Sequence, residues 1–235
     1  MRVPSCNPWA GSCMSETKLI IGNVNYSSWS MRGWLAAKRT GMSFELVRIP
    51  LDTPEFEERI GDYSPTRRVP VLHHEGLIVW DTLAMCEYLA ERFPDAGLWP
   101  NNQRLRTLAR SVCAEMHSGF PALRNALPLN ARARGRHVEL DQETVGDIQR
   151  ISAIWHDCRE AAGSQAQHGP WLFGEFTAAD CFYVPVALRF VTYAIGLVGF
   201  ASKYVATVAA DALVLEWCEM AAAETESIPR EEVGQ

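Results

Sequence analysis

The chain has 235 residues, 48% of them hydrophobic and 21% charged, and its formal net charge at pH 7 is −6. This composition predicts a sizeable buried core in one large domain or two small ones. The mild acidity argues against a nucleic-acid partner, which would need a basic face, and no apolar run is long enough to span a membrane.

The seven cysteines follow no disulfide or metal pattern. Their number is odd, their spacing is irregular and no pair forms a CxxC motif, which favours reduced, buried thiols over a disulfide framework or a zinc site. We therefore expect a cytoplasmic protein without a metal. Residues 1–13 carry Pro, Gly and Ser without periodicity or a continuous apolar segment, so we interpret them as a disordered N-terminal extension and not as a signal peptide.

Short apolar runs and amphipathic segments in the first part of the chain predict alternating strands and helices. Met31, Trp34 and Leu35, for example, share one face of a predicted helix. The predicted elements are a strand at 18–22, a helix at 29–39, a strand at 44–49, a short helix at 55–60, strands at 69–73 and 77–80 with a turn at Glu75-Gly76, and a helix at 82–92 capped by Asp81 or Thr82. This order is βαβ followed, after a connecting helix, by ββα.

The pattern changes after residue 93. Proline, glycine and asparagine at 94–97 and 100–102 predict a linker, and no convincing strand pattern follows. The predicted helices lie near 104–126, 141–163, 178–193 and 211–222. We therefore expect a small α/β domain at 14–95 and an all-helical domain at 103–235.

The segment NYSSWSMR at residues 25–32 lies where the first strand meets the first helix. Its hydroxyl side chains can simply cap that helix. Alternatively, a hydroxyl and the positive end of the helix dipole together hold an anion.

Two further motifs lie before later elements of the first domain. Pro70 stands at a strand entrance, and a cis peptide bond there would leave the backbone of Val69 open to an extended ligand. Asp81 and Thr82 precede an apolar helix, so they can serve as caps or can hold the ammonium and carboxylate of an amino acid.

In order and spacing these motifs resemble the glutathione-binding domain of the glutathione transferase family. The segments that carry the resemblance are 26–39, Val69-Pro70, Asp81-Thr82 and 87–89. The segment WLFGEFTAAD at 171–180 is similar to the signature of the family's helical domain, in which Thr177 and Asp180 are spaced as a capping box. The resemblance implies a thioredoxin-like domain followed by an all-α domain, and a homodimer.

The resemblance also implies how glutathione, the co-substrate, is held. Val69 would pair with its cysteinyl backbone, and Asp81 and Thr82 would hold its γ-glutamyl end. Pro70, expected to be cis, would shape the floor of the site, and Arg68 would approach the glycine carboxylate.

The chemistry implied is activation of the glutathione thiol, which titrates near pH 8.5 when free. A serine hydroxyl that donates to sulfur, together with amides at the start of the first helix, would favour the thiolate. Ser27 or Ser28 is the candidate donor, and aligning Arg32 with the family's arginine favours Ser27. Tyr26 is a third candidate.

The second substrate, a small hydrophobic electrophile, is expected between the two domains. A stretch at 114–124 is similar to one in bacterial members of the family. The pocket residues expected from it are Met116, His117, Phe120 and Arg124. The alternative is that the Met and Phe belong to the core while the His and Arg face solvent.

Other functions stay open. The Tyr-Ser-Ser pattern is closest to serine-type and zeta-class members, but Trp29 stands where the zeta pattern has Cys, which counts against a maleylacetoacetate-type isomerase. A non-catalytic binding protein of the same fold is disfavoured because both serines are present. A cysteine-type thiol transferase would need a thiol at the start of the first helix, and none is there.

Overall fold

The computed structural model describes residues 17–235. The predicted extension at 1–13 and the first residues of the predicted α/β domain lie outside the described residues. The described part contains both the α/β region and the helical region.

Within residues 17–235, four strands form one mixed sheet. They are β1 (Lys18–Ile21), β2 (Glu45–Arg48), β3 (Val71–His74) and β4 (Leu77–Val79), in the spatial order β2-β1-β3-β4. β1 runs parallel to β2 and antiparallel to β3, so that Leu19 lies opposite both Leu46 and Leu72. β3 and β4 form a hairpin whose turn residues, Glu75 and Gly76, both have positive φ, as expected for a tight two-residue turn.

Three helices complete the α/β region: α1 (Ser28–Arg39), α2 (Pro54–Tyr63) and α3 (Thr82–Arg92). Each begins after a residue whose side chain accepts a hydrogen bond from a first-turn amide, namely Ser27, Thr53 and Asp81. α1 approaches the entrance of β3 closely, because a β-carbon placed on Gly33 would lie 2.9 Å from Pro70 Cγ. The glycine therefore allows α1 to pack against the proline loop.

The rest of the described chain is helical. Its α-helices are α4 (Gln103–Ser118), α5 (Pro121–Ala126), α6 (Gln142–Ala162), α7 (Ala178–Thr192), α8 (Gly199–Ala210) and α9 (Ala212–Ala223). The predicted capping box is confirmed, since Thr177 and Asp180 bond reciprocally at the start of α7. The predicted helix at 104–126 is divided by Gly119 and Phe120, and α8 was not predicted. None of the helices in residues 17–235 is long and apolar enough to cross a membrane.

One hydrophobic core joins the two regions. α7 is buried along almost its whole length and packs against α1, α4 and α8. Trp34 of α1 meets Trp217 of α9 with ring centroids 5.2 Å apart, and the Arg39 guanidinium lies 2.6 Å from the Asp211 carboxylate. The predicted combination of a thioredoxin-like domain and an all-α domain is confirmed.

Candidate active site

A cavity of about 410 Å³ opens where the first turns of α1 and α3, the loop before β3 and the last turn of α4 meet. Its volume falls within the range of small-molecule sites, roughly 300–1,000 Å³. The lining residues are Trp29, Thr66, Arg68, Val69, Pro70, Trp80, Asp81, Thr82 and His117. All but His117 come from the α/β region, so the cavity lies between the two regions.

The loop before β3 presents open backbone to this cavity. The Val69-Pro70 peptide bond is cis. Neither the N–H nor the C=O of Val69 has a hydrogen-bond partner within residues 17–235. A strand-like ligand could therefore pair with this residue through its own backbone.

The first turn of α3 supplies a carboxylate and a hydroxyl. Asp81 accepts a hydrogen bond from the Leu83 amide at 3.1 Å, and its second oxygen lies 2.9 Å from Nε2 of His117 on α4. Thr82 is fully buried, and its hydroxyl has no hydrogen-bond partner among the described residues. Because buried polar atoms are nearly always paired, the Thr82 hydroxyl is available to a molecule that enters the cavity.

The two serines before and at the start of α1 have different surroundings. The Ser27 hydroxyl donates to Ser30 Oγ at 2.8 Å and accepts from the Ser30 amide at 3.2 Å. The Ser28 side chain makes no hydrogen bond to any residue in 17–235. Both are buried and neither lines the cavity, but Ser28 directly precedes Trp29, which does.

The structure does not bring Tyr26 to the cavity. Its hydroxyl donates to Glu232 at 2.6 Å and accepts from Arg132 at 2.9 Å. The ring is buried, and the Arg132 guanidinium lies 5.6 Å from its centre. Tyr26 thus joins the loop before α1 to the C-terminal segment.

The four expected residues of the second-substrate pocket separate into two groups. Met116 and Phe120 are buried in the hydrophobic core and do not line the cavity. His117 lines it, and its ring meets that of Trp29 edge-on with centroids 5.0 Å apart. Arg124 donates to the carbonyl of Gly119 at 2.9 Å and to that of Met116, and its guanidinium lies 5.3 Å from the Trp29 ring.

Residue types at individual positions did not single out Trp29, Thr66 or Trp80 as cavity residues. Trp29 could have been predicted as a cavity residue from its position two residues after the helix cap Ser27. Side chains of the first helical turn lie near the start of the helix, and the start of α1 lies at the cavity. Thr66 and Trp80 carry no such signal, because the fold of the loop before β3 brings Thr66 to the cavity and the connection between β4 and α3 brings Trp80 there.

No described cysteine lines the cavity. Burial raises the pKa of the Cys86 thiol to about 12 and holds the pKa values of Cys113 and Cys181 well above the ordinary value. Among residues 17–235, no group of three or more His, Cys, Asp or Glu side chains is placed to hold a metal ion. The groups that the described residues present to the cavity are hydroxyls, backbone amides, aromatic rings and charged side chains.

Comparison with known proteins identifies the same architecture. The family model for the glutathione S-transferase N-terminal domain matches residues 26–92. Glutathione S-transferase 1 of Dianthus caryophyllus is 27% identical over 190 residues, which are 76% of this chain and 80% of that protein. A probable maleylacetoacetate isomerase of Caenorhabditis elegans is 29% identical over 112 residues, about half of each chain.

Solved structures share the fold. A glutathione transferase homolog from Burkholderia, crystallised with bound glutathione, superposes with a TM-score of 0.61 at 21% identity. The superposition covers 90% of this chain and all of the Burkholderia chain. The matched domain lies over the strands and helices that form the cavity, and the fold agrees over both regions. Residues 26–92 therefore match the glutathione S-transferase N-terminal domain, and the described chain has the glutathione transferase fold.

Proposed function

We propose that the protein is a glutathione transferase that binds glutathione in the cavity and activates its thiol for attack on a small hydrophobic electrophile. The observation that carries the proposal is the set of unpaired hydrogen-bonding groups around one cavity: the Val69 backbone and the buried Thr82 hydroxyl. Both lie within residues 26–92, which match the family's N-terminal domain.

These groups match the parts of an extended tripeptide. The Val69 N–H and C=O pair with the backbone of the cysteinyl residue. At one end, Thr82 and the first-turn amides of α3 receive the γ-glutamyl carboxylate, while Asp81 receives the ammonium. At the other end, the exposed Arg68 side chain reaches the glycine carboxylate.

Ser28 is the donor that the proposal assigns to the thiol. The Ser27 hydroxyl already donates to Ser30, whereas the Ser28 hydroxyl is unpaired within the described chain. A hydroxyl that donates to sulfur at the start of a helix lowers the pKa of the thiol. A decrease of one to two pKa units corresponds to about 1.4–2.7 kcal/mol in favour of the thiolate.

We expect Ser28→Ala to lower turnover by about 10- to 100-fold while leaving the glutathione affinity nearly unchanged. Ser27→Ala removes a helix cap, so it should instead lower the free energy of unfolding by about 1 kcal/mol. Conjugation kinetics, calorimetric binding of glutathione and the ultraviolet absorbance of bound thiolate measure the three quantities. Full activity in both single variants and the double variant would remove the serines from the mechanism.

A second candidate function is glutathione-dependent cis–trans isomerisation, and the similarity to the C. elegans isomerase favours it. Such an enzyme adds the thiolate to a conjugated double bond and expels it again after rotation, so glutathione is regenerated. Conversion of a cis-dienone without net loss of glutathione would distinguish this reaction from conjugation.

A further inference from the structure

Arg32, on α1, is a buried cation without a partner. Its side chain is fully buried, and none of its three guanidinium nitrogens has a hydrogen-bond partner within residues 17–235. Arg189, on α7, is also buried and donates to the carbonyls of Leu127 and Pro185. Buried arginines in this protein can therefore be paired, and Arg32 is not.

The surroundings of Arg32 are aromatic and cationic. Its guanidinium lies 4.4 Å from the centre of the Trp29 ring and 5.0 Å from that of Phe182. Burial, followed by the nearby Arg124 and Arg189, holds the pKa of Arg32 well below its ordinary value. Its other ionisable neighbours include Cys86, Cys113 and Tyr183, and burial raises the pKa of each, so they stay neutral.

Trp29 connects this cation to the cavity. The indole is half-exposed, lines the cavity and has a guanidinium near it from both Arg32 and Arg124. Neither arginine forms an ion pair with any described acidic side chain. The Arg124 guanidinium donates to backbone carbonyls, whereas that of Arg32 has no hydrogen-bond partner among the described residues. Two guanidinium groups around a single indole, one of them unpaired, are an arrangement that an anion would stabilise, since an uncompensated buried charge is costly.

We propose that Trp29, Arg32 and Arg124 form a subsite for a carboxylate on the second substrate, with a shift of the indole giving the carboxylate access to Arg32. The inference rests on the proposed transferase function, whose electrophile it narrows to an aromatic or unsaturated carboxylic acid. A guanidinium pairs with a planar carboxylate through two parallel hydrogen bonds. The Trp29 and Phe182 rings supply apolar faces for the rest of such a molecule.

Binding tests the subsite without any reaction. Calorimetry compares para-nitrobenzoate with para-nitrobenzamide, which has the same size and no charge. We expect the benzoate to bind at least about 10-fold more tightly to the unaltered protein. Arg32→Met should abolish this preference and leave the melting temperature unchanged or higher, because it removes an unpaired buried charge.

Two further variants make the result specific. Arg104→Met changes an exposed arginine on α4 and should keep the full preference for benzoate. Arg32→Lys keeps the charge but lacks the planar guanidinium, so it should weaken the preference for benzoate over benzamide. This variant tests the proposal also in the case that Arg32→Met does not fold. Equal affinities of the unaltered protein for the two compounds, or a preference that survives in folded Arg32→Met or in Arg32→Lys, would overturn the proposal.

Measuring turnover of an acid and its ester tests the carboxylate subsite separately from the proposed transferase function. The substrates are a chloronitrobenzoate and its methyl ester; in each, the glutathione thiolate forms a C–S bond and chloride leaves with the C–Cl electron pair. A kcat/KM at least about 10-fold higher for the acid is expected. Equal turnover of acid and ester refutes the carboxylate subsite and leaves the transferase function standing. No turnover of either, with the binding preference intact, refutes the transferase function alone.

Discussion

At the scale of single residues, the candidate site is marked by hydrogen-bonding groups that the protein itself leaves unpaired. The Thr82 hydroxyl is the clearest of them, because it is fully buried and lines the cavity. Leaving a buried hydroxyl without a partner costs free energy in the ligand-free protein. The cost is offset if a bound molecule supplies the missing hydrogen bond.

Thr82→Val keeps the shape of the side chain and removes the unpaired hydroxyl. We expect an equal or higher free energy of unfolding and a glutathione affinity lower by about 10-fold, the equivalent of one hydrogen bond to a charged group. Thermal unfolding and calorimetric titration with glutathione measure the two effects. Thr107→Val, which alters an exposed threonine of α4, serves as the control. An unchanged glutathione affinity would place the γ-glutamyl end elsewhere.

The sequence could predict some of the site's residues and not others. Five predicted residues line one cavity, and the sequence could indicate them because they lie at or beside the starts of predicted elements. They are Arg68, Val69, Pro70, Asp81 and Thr82. The environments of the hydroxyls at 26–28 depend on distant partners. The Tyr26 hydroxyl, for instance, is held by a carboxylate 206 residues away, which no local pattern indicates.

At the scale of elements, α7 organises the helical region. The Asp180 carboxylate at its start is fully buried and accepts from the amides of Thr177 and Leu172 and from the Tyr204 hydroxyl. One side chain thus caps α7, fixes the preceding loop and holds α8. Burial nevertheless raises the pKa of Asp180 to about 6, and these hydrogen bonds only partly oppose the rise.

We expect Asp180→Ala to lower the free energy of unfolding by at least about 3 kcal/mol, because four buried donors, the Thr177 hydroxyl among them, lose their acceptor. Asp141→Ala, at the exposed cap of α6, is the matched control and should cost about 1 kcal/mol. The stability contributed by Asp180 is full below its unfolded pKa of 3.8 and is lost as the pH rises through about 6. The difference between the Asp180 variant and the unaltered protein should therefore be larger near pH 5 than near pH 7.5 in chemical denaturation. A small loss at both pH values would refute the role of Asp180.

The predicted elements were correct where the chain carries caps and periodic apolar residues. Strands β1–β4 and helices α1, α3, α6 and α7 lie within a few residues of their predicted positions. α8 was missed because no side chain caps it, Gly196 precedes it and Gly199 begins it, so its start has no local signal. Its position is determined by packing on α7 and by the Tyr204–Asp180 hydrogen bond.

At the scale of the whole molecule, the segment after α9 holds the α/β and helical regions together. Glu224 accepts from the amides of Val24 and Asn25 at 3.0 and 2.9 Å and pairs with Arg48. Glu232 accepts from Tyr26, Asn130 and Arg136. Both carboxylates thus bind the loop that leads into α1, directly or through its neighbours.

Glu232 makes this connection dependent on pH. Although burial opposes it, hydrogen bonds from Tyr26, Arg136 and Asn130 lower the pKa of Glu232 to about 2, from an ordinary value of 4.5. The corresponding stability is present above pH 4.5 and is lost as the pH falls toward 2. Glu232→Gln should therefore lower the free energy of unfolding by up to about 3 kcal/mol at pH 7 and by progressively less below pH 4.5.

Denaturant titrations at several pH values test this prediction, with Glu219→Gln on the exposed face of α9 as the control. The control should match the unaltered protein throughout. A loss in Glu232→Gln that does not change with pH would show that the side chain contributes by packing and not by its charge.

The bonds between residues 23–26 and the two glutamates also have a consequence for how the protein is made. A ribosome delivers the chain from its amino end, so the loop before α1 emerges 200 residues ahead of the carboxylate that binds its amides. Throughout that interval the loop lacks the carboxylates that bind it in the finished protein. These bonds can therefore form only once residues 224 and 232 have left the ribosome, so closing this end of the α/β region is a late, post-translational step.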